Sequence, residues 1–507
     1  MDMYEFSQER MSIMIYTLPA ATPESQGVPS AALQRFLQAV GDQNIELHSL
    51  VFLRHGQVIA QGAWSPYSLD RNHMLFSLSK SFTSTAVGFA VQEGLLSVDD
   101  PVLKFFAAEA PAKPTRNWAA MRVRHLLSMS TGHDKDTTGF MVGHRDGDWV
   151  KGFLRQPVKH VPGTHFLYNT GATYMLSVIV QKLTGQRVLD YLTPRLFEPL
   201  GIQGATWEQC PRGYDTGGFG LMIKTHDIAR FGQFLLQRGA WQGKQLLNAA
   251  WIDEATGKHV SNGPADGTSD WGQGYGYQFW RCIPEGVYRG DGAFGQYCVV
   301  SPAHDAVFAI NSGIGDMQAV LTLLWQHVLP AMGEAMPEDP ASQQALLDML
   351  AGLRYDPPKA QPNSALETKW NGKTILLDKN PMHARSLTLR FDGGCCELTT
   401  AVTRRYYGTL SSNANRGGRS KLVYGRQRWV QGSDASTDHP HVQAASFTWE
   451  DGNTLRLSAR DVNAPFVADL RIVFDGDEVT VQHKINVSFG PAEAAPVKGR
   501  AKENNHG

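Results

Sequence analysis

Apolar side chains recur at helical spacing in several segments of the first two thirds of the chain. Residues 29–40 form one such segment, where Leu33, Phe36 and Val40 lie three or four positions apart and Ser30 is the expected N-cap. The same period predicts four helices in the middle of this region and one at its end. These predicted helices cover residues 81–92, 123–128, 172–183, 228–238 and 316–329.

Short apolar runs of strand length precede and follow these helices. Residues 48–54 and 57–61 flank a turn at His55-Gly56, which predicts a hairpin. Further strand patterns occupy residues 275–282, 296–300 and 306–311. Strands at both ends of a helical region predict an α+β fold, in which one antiparallel sheet is assembled from both ends with helices between them.

The hydrophobic pattern changes after residue 335. Two proline-rich segments flank a short helical pattern, and we interpret residues 336–365 as a linker. In residues 366–490, short β-like runs alternate with turns such as Asp392-Gly393 and Asp475-Gly476. This pattern predicts a separate all-β domain, a barrel or a sandwich.

The remaining segments complete the predicted domain organisation. We expect residues 1–22 to form a loose leader, residues 23–335 to form the α+β domain, and the polar residues 491–507 to form a flexible tail. A chain of 507 residues is long enough for two or three domains, which agrees with this division.

Charge and composition exclude several classes of function. Lys plus Arg number 47 and Asp plus Glu 48, so the formal net charge of −1 predicts neither nucleic-acid binding nor attraction to an anionic membrane. No apolar run reaches the roughly 18 residues that cross a bilayer, and the N-terminus lacks the pattern of a signal peptide. We therefore predict a cytoplasmic protein. Five cysteines without a CxxC pair favour neither a disulfide framework nor a zinc site.

Several motifs of nucleotide and metal chemistry fail on their spacing. Asn371-Gly372-Lys373-Thr374 ends like a phosphate loop, but Glu367 occupies the required upstream glycine position. Residues 215–220 are glycine-rich without a surrounding strand–helix fingerprint. The sequence contains no HExxH motif and no GxSxG nucleophile elbow. We therefore expect no cofactor and no metal.

One short motif is compatible with nucleophilic catalysis. Ser77-Leu78-Ser79-Lys80 is a Ser-x-x-Lys motif at the start of a predicted helix, and such a motif alone arises by chance about once in a chain of this composition. A serine at a helix start and a lysine three residues later lie on the same face. The serine amide would also lie at the positive end of the helix, where it favours an oxyanion.

The segments around this motif resemble the serine β-lactamase and penicillin-binding-protein superfamily, in the class C-like branch that includes esterases and 6-aminohexanoate-dimer hydrolases. The resemblance covers roughly residues 23–331. It rests on several segments in the family's order, namely residues 76–80, 93–102, 123–133 and 162–169.

The resemblance implies roles for three residues. Ser77 is similar to the family's nucleophile, Lys80 to its activating lysine, and Tyr168 to the tyrosine of its Tyr-x-Asn motif. A lysine is a base only when neutral, so burial would have to lower its pKa from about 10.4 to near 7. A tyrosine close to that lysine could share the proton and relay it to the leaving group.

The sequence departs from the family in two places. Thr170 stands where the asparagine of Tyr-x-Asn is usual, so Asn169 is the candidate substitute. The third motif, Lys-Thr-Gly or His-x-Gly, is absent from residues 288–297, where Arg289 could compensate or be an ordinary solvated arginine. A strand edge can still offer a backbone amide to an oxyanion. The candidate oxyanion and substrate-binding residues on this strand are Asp291, Ala293, Phe294 and Gln296.

These observations predict a serine hydrolase that cleaves a small ester or amide through an acyl-enzyme. A β-lactamase or D-amino-acid peptidase is one alternative, and a catalytically silent binding or scaffold protein on the same fold is another. The predicted partner is a small-molecule substrate, with no nucleic acid and no membrane, and a homo-oligomer is possible. An anionic β-lactam is disfavoured because the cationic and hydroxyl groups of the third motif are missing.

Overall fold

The computed structural model describes residues 18–264, 266–403, 418–433 and 441–502. Most of the predicted leader lies outside these residues. Its described part is not loose, because Leu18 is buried and residues 19–21 are held along Val58. The amide of Val58 donates to the carbonyl of Pro19 over 2.7 Å, and the amide of Ala21 donates to the carbonyl of Val58 over 3.1 Å. These backbone bonds extend the adjacent sheet by one short segment.

The helical pattern predicted most of the long helices. The helices are α1 (Ser30–Asp42), α2 (Ser79–Gln92), α3 (Arg116–Ala120), α4 (Val123–Leu127), α5 (Thr138–Val142), α6 (Trp149–Leu154), α7 (Thr170–Thr184), α8 (Val188–Leu192), α9 (Glu198–Leu200), α10 (Thr225–Leu236), α11 (Ala249–Thr256), α12 (Met317–Leu323), α13 (Pro340–Ala351) and α14 (Leu366–Trp370). The N-cap prediction for α1 is wrong. Pro29 occupies the cap position, and the Glu24 carboxylate accepts from both the amide and the hydroxyl of Ser30.

Six strands from both ends of the first region form one antiparallel sheet, as predicted. The strands of this region are β1 (Leu47–Arg54), β2 (Gln57–Ala63), β3 (His73–Met74), β4 (Thr206–Trp207), β5 (Leu221–Ile223), β6 (Ala240–Trp241), β7 (Lys244–Gln245), β8 (Trp280–Arg281), β9 (Tyr288–Gly292), β10 (Gln296–Ser301) and β11 (Ala306–Ser312). The large sheet has the order β2-β1-β11-β10-β9-β8, and β3-β5-β4 is a small separate sheet.

The central strands of the large sheet are buried on both faces. Along β1, Val51 and Leu53 point into the core that contains α2, α7 and α10, whereas Leu50 and Phe52 point into the core that contains α1 and α12. Successive side chains of a strand alternate between faces, so a strand between two helical layers must be apolar at every position. The sheet therefore lies between two layers of helices, and α2 lies on its first face.

The predicted strand over residues 275–282 is mostly wrong, since only Trp280–Arg281 form β8. Gly276 donates from its amide to the carbonyl of Phe279, which closes a tight turn within the segment. Gln278 has a positive φ of 68°, a conformation that interrupts extended backbone. The apolar run reflects aromatic side chains buried at this turn rather than a continuous strand.

The predicted linker contains the expected helix, and this helix is packed rather than exposed on all sides. Leu346 of α13 is buried in the same core as Phe36 of α1. Gln34 on α1 also donates to the carbonyl of Ser342 over 2.7 Å. The segment therefore covers one face of the first region before the chain enters the second.

The C-terminal strands close into a nine-stranded barrel, which confirms the all-β prediction. The strands are β12 (Thr374–Leu377), β13 (Ala384–Asp392), β14 (Cys395–Val402), β15 (Gly418–Arg426), β16 (Val430–Ser433), β17 (Val442–Trp449), β18 (Thr454–Asp461), β19 (Val467–Asp475), β20 (Glu478–Ile485) and β21 (Val497–Ala501). Parallel pairing of β15 with β17 completes the ring, and β16 pairs with β17 outside it.

Strand β21 corrects the prediction of a flexible tail over residues 491–507. It pairs with both β12 and β20, so it is an interior member of the ring. Residues 503–507 lie outside the described residues. Val497 and Gly499 of β21 are buried, while Lys498 and Arg500 are exposed. This alternation explains why the strand looks polar in sequence.

The barrel contacts the first region beside β3. The amide of Met74 donates to the carbonyl of Asn463 over 2.7 Å, and the side chain of Asn463 donates to the carbonyl of Asn72 over 2.8 Å. Asn486 donates to the carbonyl of Gly313 over 3.0 Å. Across the described residues, no helix is both long and apolar enough to span a bilayer.

Candidate active site

Ser77 lies in a single 3-10 turn, Phe76–Leu78, that leads directly into α2. Its side chain is half-buried, so it can meet a molecule from solvent. Phe76, the residue before it, has a φ of 47°, in the left-handed region that β-carbon-bearing residues rarely adopt. Such strain persists only where the surroundings enforce it, and it is common at functional sites.

Lys80 is one helical turn from Ser77 and is buried. Its Nζ lies 2.9 Å from Ser77 Oγ and donates to the carbonyl of Gly218 over 2.7 Å. Burial lowers the pKa of Lys80 to about 7, although the carboxylates of Asp136 and Asp291 act in the opposite direction. A substantial fraction of this amine is therefore neutral near pH 7 and can accept the serine proton.

Tyr168 is the third member of the predicted catalytic group, and the structure brings it to the same place. Lys80 Nζ lies 4.9 Å from the centroid of its ring, which stacks on Trp280 at 5.2 Å. Burial and the Asp291 carboxylate raise the pKa of Tyr168, against a hydrogen bond from Ser77 that lowers it. The phenol consequently stays protonated, which suits a proton donor rather than a tyrosinate base.

Strand β9 can lie close to Ser77 because it has glycines at the positions where larger side chains would collide with residues 75–81. A Cβ on Gly290 would lie 2.5 Å from both Leu78 and Ser81, and one on Gly292 would collide with the carbonyl of Leu75. These glycines leave room for the turn that carries Ser77 and for the start of α2, so β9 lies close to Ser77.

The turn after β9 presents a candidate oxyanion donor. Within the described residues, the amide of Ala293 has no hydrogen-bond acceptor, as such a donor requires. Phe294 follows it with a φ of 66° and is buried. Gln296 links this turn to β11, because its Nε2 donates to the carbonyls of Ala293 and Ser312 over 3.0 and 2.9 Å. Gln296 thus supports the turn instead of facing the cleft.

Two other predicted substrate-binding residues have structural partners. Asn169 is the N-cap of α7, and its Oδ1 accepts from Gly171 and from the amide and hydroxyl of Thr137. Asp291 is buried and accepts from Arg289 Nε over 2.9 Å. Asp291 nevertheless acts on the site through its charge, since it raises the pKa values of Lys80 and Tyr168.

Arg289 is not solvated, and its Nε and Nη1 have partners inside the protein, whereas its buried Nη2 has none among the described residues. It is 0% exposed, donates to the carbonyl of Asp270 over 3.0 Å, and lies 4.4 Å from the ring centroid of Trp271. Burial lowers the pKa of its guanidinium, but Asp291, Cys282 and Asp270 together outweigh this and the pKa rises overall. The interpretation of Arg289 as a solvated arginine is therefore wrong, and its burial beside Asp291 disfavours the alternative that it replaces the missing third-motif cation.

The loop that positions Lys80 was not among the sequence predictions. The glycine-rich residues 215–220 lack a nucleotide fingerprint, yet the carbonyl of Gly218 accepts from Lys80 and the carbonyl of Gly217 accepts from Thr83. A Cβ on Gly218 would lie 2.7 Å from Thr170, so glycine is required there. The glycine pattern was visible, but a backbone acceptor leaves no side-chain signature.

No group of His, Cys, Asp and Glu side chains in the described ranges could hold a metal ion. The reactive groups of the candidate site are instead one hydroxyl, one amine, one phenol and a backbone amide, on Ser77, Lys80, Tyr168 and Ala293. This set can carry out acyl transfer by covalent catalysis.

Known proteins resemble this chain in sequence and in fold. A family model described as Beta-lactamase matches residues 25–328. A 6-aminohexanoate-dimer hydrolase from Paenarthrobacter ureafaciens is 25% identical over 280 residues, which cover 51% of this chain and 70% of that protein. Penicillin-binding protein 4 from Amycolatopsis lactamdurans is 27% identical over 357 residues, or 61% of this chain and 88% of that protein.

A solved structure shares the fold. It is a provisionally named 6-aminohexanoate-dimer hydrolase from Bacillus anthracis, which aligns with a TM-score of 0.50 at 19% identity and covers 61% of this chain and 86% of that one. At this identity the likeness concerns the fold alone.

Proposed function

Because this chain belongs to the beta-lactamase family, we propose that it is a serine hydrolase that cleaves a small ester or amide through an acyl-enzyme. The observation that carries the proposal is the contact of 2.9 Å between Lys80 Nζ and Ser77 Oγ, together with the burial that brings the pKa of Lys80 to about 7. A charged lysine could not accept the serine proton, and burial removes that obstacle.

Acylation proceeds through one tetrahedral intermediate. Ser77 Oγ attacks the substrate carbonyl while its proton passes to neutral Lys80, and the backbone amides of Ser77 and Ala293 stabilise the oxyanion. The carbonyl then re-forms and the bond to the alcohol or amine breaks. Tyr168 donates a proton to the leaving group and recovers one from Lys80.

Deacylation repeats these steps with water as the nucleophile. Water attacks the acyl-enzyme carbonyl and gives its proton to neutral Lys80. The Ser77 oxygen then leaves with a proton from Tyr168, which recovers one from Lys80. Acid is released and the site returns to its starting protonation state. Ester and amide substrates need the same catalytic groups. They differ in how strongly departure of the leaving group depends on protonation by Tyr168.

The alternative of a β-lactamase or D-amino-acid peptidase receives less support from the site. Both classes of substrate carry a carboxylate that needs a cation, and Arg289 is buried and paired with Asp291. Leaving a carboxylate without a partner in a partly buried cleft costs a few kcal/mol, about 10²- to 10³-fold in kcat/KM. Uncharged esters and amides avoid that cost.

A serine-directed fluorophosphonate, with peptide mass spectrometry, tests the proposal. We expect labelling at Ser77 and its loss, with turnover, in Ser77→Ala. Ser81→Ala is the matched control, since Ser81 is buried and its hydroxyl donates to the carbonyl of Gln278 over 2.9 Å. Absence of labelling at Ser77 in the wild type would support a catalytically silent protein. Nitrocefin turnover at or above that of nitrophenyl acetate would favour the β-lactamase alternative.

A further inference from the structure

Four phenylalanines from both regions of the molecule form one cluster. Phe76 and Phe294 come from the α+β region, and Phe466 and Phe489 from loops of the barrel. The ring of Phe76 lies 5.5 Å from Phe294, 6.1 Å from Phe466 and 5.9 Å from Phe489. Phe294 lies 5.9 Å from Phe466 and 4.8 Å from Phe489. Edge-to-face and tilted contacts of this kind are favourable.

The cluster borders both halves of the candidate active site. Phe76 directly precedes Ser77, and Phe294 directly follows Ala293. Both phenylalanines have positive φ, at 47° and 66°. The backbone of the nucleophile turn and that of the oxyanion turn are thus packed against the same apolar group, to which the barrel contributes half of the rings.

The barrel loops that carry these rings are fixed in place. The amide of Val467, next to Phe466, donates to Asn486 Oδ1 over 2.8 Å, and the side chain of Asn486 also donates to the carbonyl of Gly313. Ala464 and Val487 of the same loops are buried against Phe76 and Phe294. The rings therefore have a defined position relative to Ser77 and do not belong to a separate, independently placed domain.

Burial within the cluster is uneven. Phe76 and Phe294 are only 7% and 8% exposed, whereas Phe489 is 74% exposed. A phenyl ring that lies on a buried aromatic surface and remains largely in water offers apolar area to a further molecule. The ring packs on Phe76 and Phe294, the chain neighbours of Ser77 and Ala293, so a substrate bound at that serine is the molecule nearest at hand to cover it.

The leaving-group side of the site lies elsewhere. Tyr168, the proposed acid for the leaving group, packs on Trp280 and Tyr275. Among the described residues, none of these three rings contacts the four-phenylalanine cluster. The cluster consequently borders the acyl part of a substrate attached to Ser77, on the side away from Tyr168.

From this arrangement we infer that the barrel completes the active site by supplying an apolar wall for the substrate's acyl group. Phe489 contacts the acyl chain, and Phe466 is a positioning residue that supports the rings of Phe76 and Phe294. The inference rests on the proposed hydrolase function and adds the substrate class, namely esters or amides of apolar, uncharged acyl groups longer than acetyl. Each methylene that becomes buried against the wall should raise kcat/KM by up to about fourfold.

The test compares nitrophenyl acetate, butyrate and hexanoate in the wild type, Phe489→Ala and Phe489→Leu. We expect kcat/KM to rise with chain length in the wild type. In Phe489→Ala it should stay within twofold for acetate and lose roughly tenfold for hexanoate, with partial rescue in Phe489→Leu. Leu376→Ala, at an exposed barrel position on β12, is the control and should match the wild type.

Three outcomes would overturn the inference. The first is an unchanged chain-length dependence in Phe489→Ala, and the second is an equal loss for all three esters. The third is a wild-type oligomer, measured by sedimentation, that dissociates in Phe489→Ala, because the ring would then cover a second copy of the chain. Failure of the proposed function gives a different result, with no acetate hydrolysis and no labelling of Ser77 even in the wild type, and the inference then fails with it.

Discussion

The two interiors of this protein bury different kinds of side chain. The barrel core is apolar and aromatic, with Trp370, Trp449 and Phe474 within 5.1–5.8 Å of one another between adjacent ring centroids. The interior beside the candidate site contains Lys80, Arg289 and Asp291, all buried. Burying an apolar side chain favours folding, whereas burying a charged side chain opposes it. The charged groups of the second interior are therefore stable only because each has specific hydrogen-bond or ion-pair partners.

This difference shows where the molecule has given up stability for chemistry. A lysine whose pKa is lowered by burial is unfavourable for folding at neutral pH, yet that same burial makes it a base. Among the described residues of the barrel, no lysine or arginine is buried, and the core packs as an ordinary hydrophobic interior. The barrel's contribution to function is therefore expected at its loops, where Phe466 and Phe489 meet the site.

The largest effect is expected from removing the buried amine. Lys80→Met keeps the length of the side chain but cannot accept the Ser77 proton, so ester turnover should fall by at least about 10²-fold. The rate of nitrophenyl acetate hydrolysis measures it. Lys182→Met, on the exposed end of α7, is the control and should retain activity near the wild-type level. Turnover within a few-fold of the wild type in Lys80→Met would remove the lysine from the mechanism.

The buried ion pair should be the next most sensitive feature. Arg289→Met leaves the carboxylate of Asp291 buried without its partner, which typically costs about 3–5 kcal/mol. The denaturant midpoint, followed by tryptophan fluorescence, should fall accordingly. Restoring neutrality with Arg289→Met/Asp291→Leu should recover much of the loss. A double variant as unstable as the single one would mean that Arg289 acts through its packing on Trp271 rather than through its charge.

Lys80 should also make stability depend on pH. Between the ordinary pKa of 10.5 and the folded-state pKa of about 7, the unfolded chain binds a proton that the folded protein does not. Wild-type stability, relative to Lys80→Met, should therefore rise between pH 7 and pH 10 by about 1 kcal/mol per pH unit. Below pH 7 the difference should be constant. Parallel unfolding curves of the two proteins at five pH values measure it, and a flat difference would contradict the lowered pKa.

The barrel and the candidate site also differ in how well the sequence predicts them. The barrel strands came from local alternation and from Asp-Gly turns at Asp392-Gly393 and Asp475-Gly476, and such signals need no knowledge of distant residues. Closure by β21 was missed because a strand with only two buried positions looks like a polar tail. Its identity as a strand depends on pairing with β12, more than a hundred residues away.

The candidate site was predictable only where its chemistry is local. Ser77 and Lys80 are three residues apart on one helix start, so their proximity follows from sequence spacing. The roles of Asn169 and Gln296 do not, because their partners Thr137 and Ser312 are brought near by the fold. Gly218 was also beyond sequence reasoning, since it contributes a carbonyl that every residue possesses. Asn169 and Gln296 were predicted to bind substrate, and in the structure they instead hold neighbouring backbone in place.

The smallest loss of stability is expected from breaking an exposed ion pair of the barrel. Arg456 and Asp469 form two hydrogen bonds of 3.1 and 3.0 Å across β18 and β19, but they are 37% and 28% exposed. Water solvates either partner when the other is removed, so exposed pairs contribute about 1 kcal/mol or less. Arg456→Gln should therefore lower the free energy of unfolding by less than about 1 kcal/mol, and 0.5 M salt should reduce the difference further by screening. Denaturant unfolding, as for Arg289→Met, measures the loss of unfolding free energy and its reduction by salt. A loss in Arg456→Gln equal to that in Arg289→Met would show that burial does not set the cost of breaking an ion pair in this protein, and the contrast between its two interiors would then need another cause.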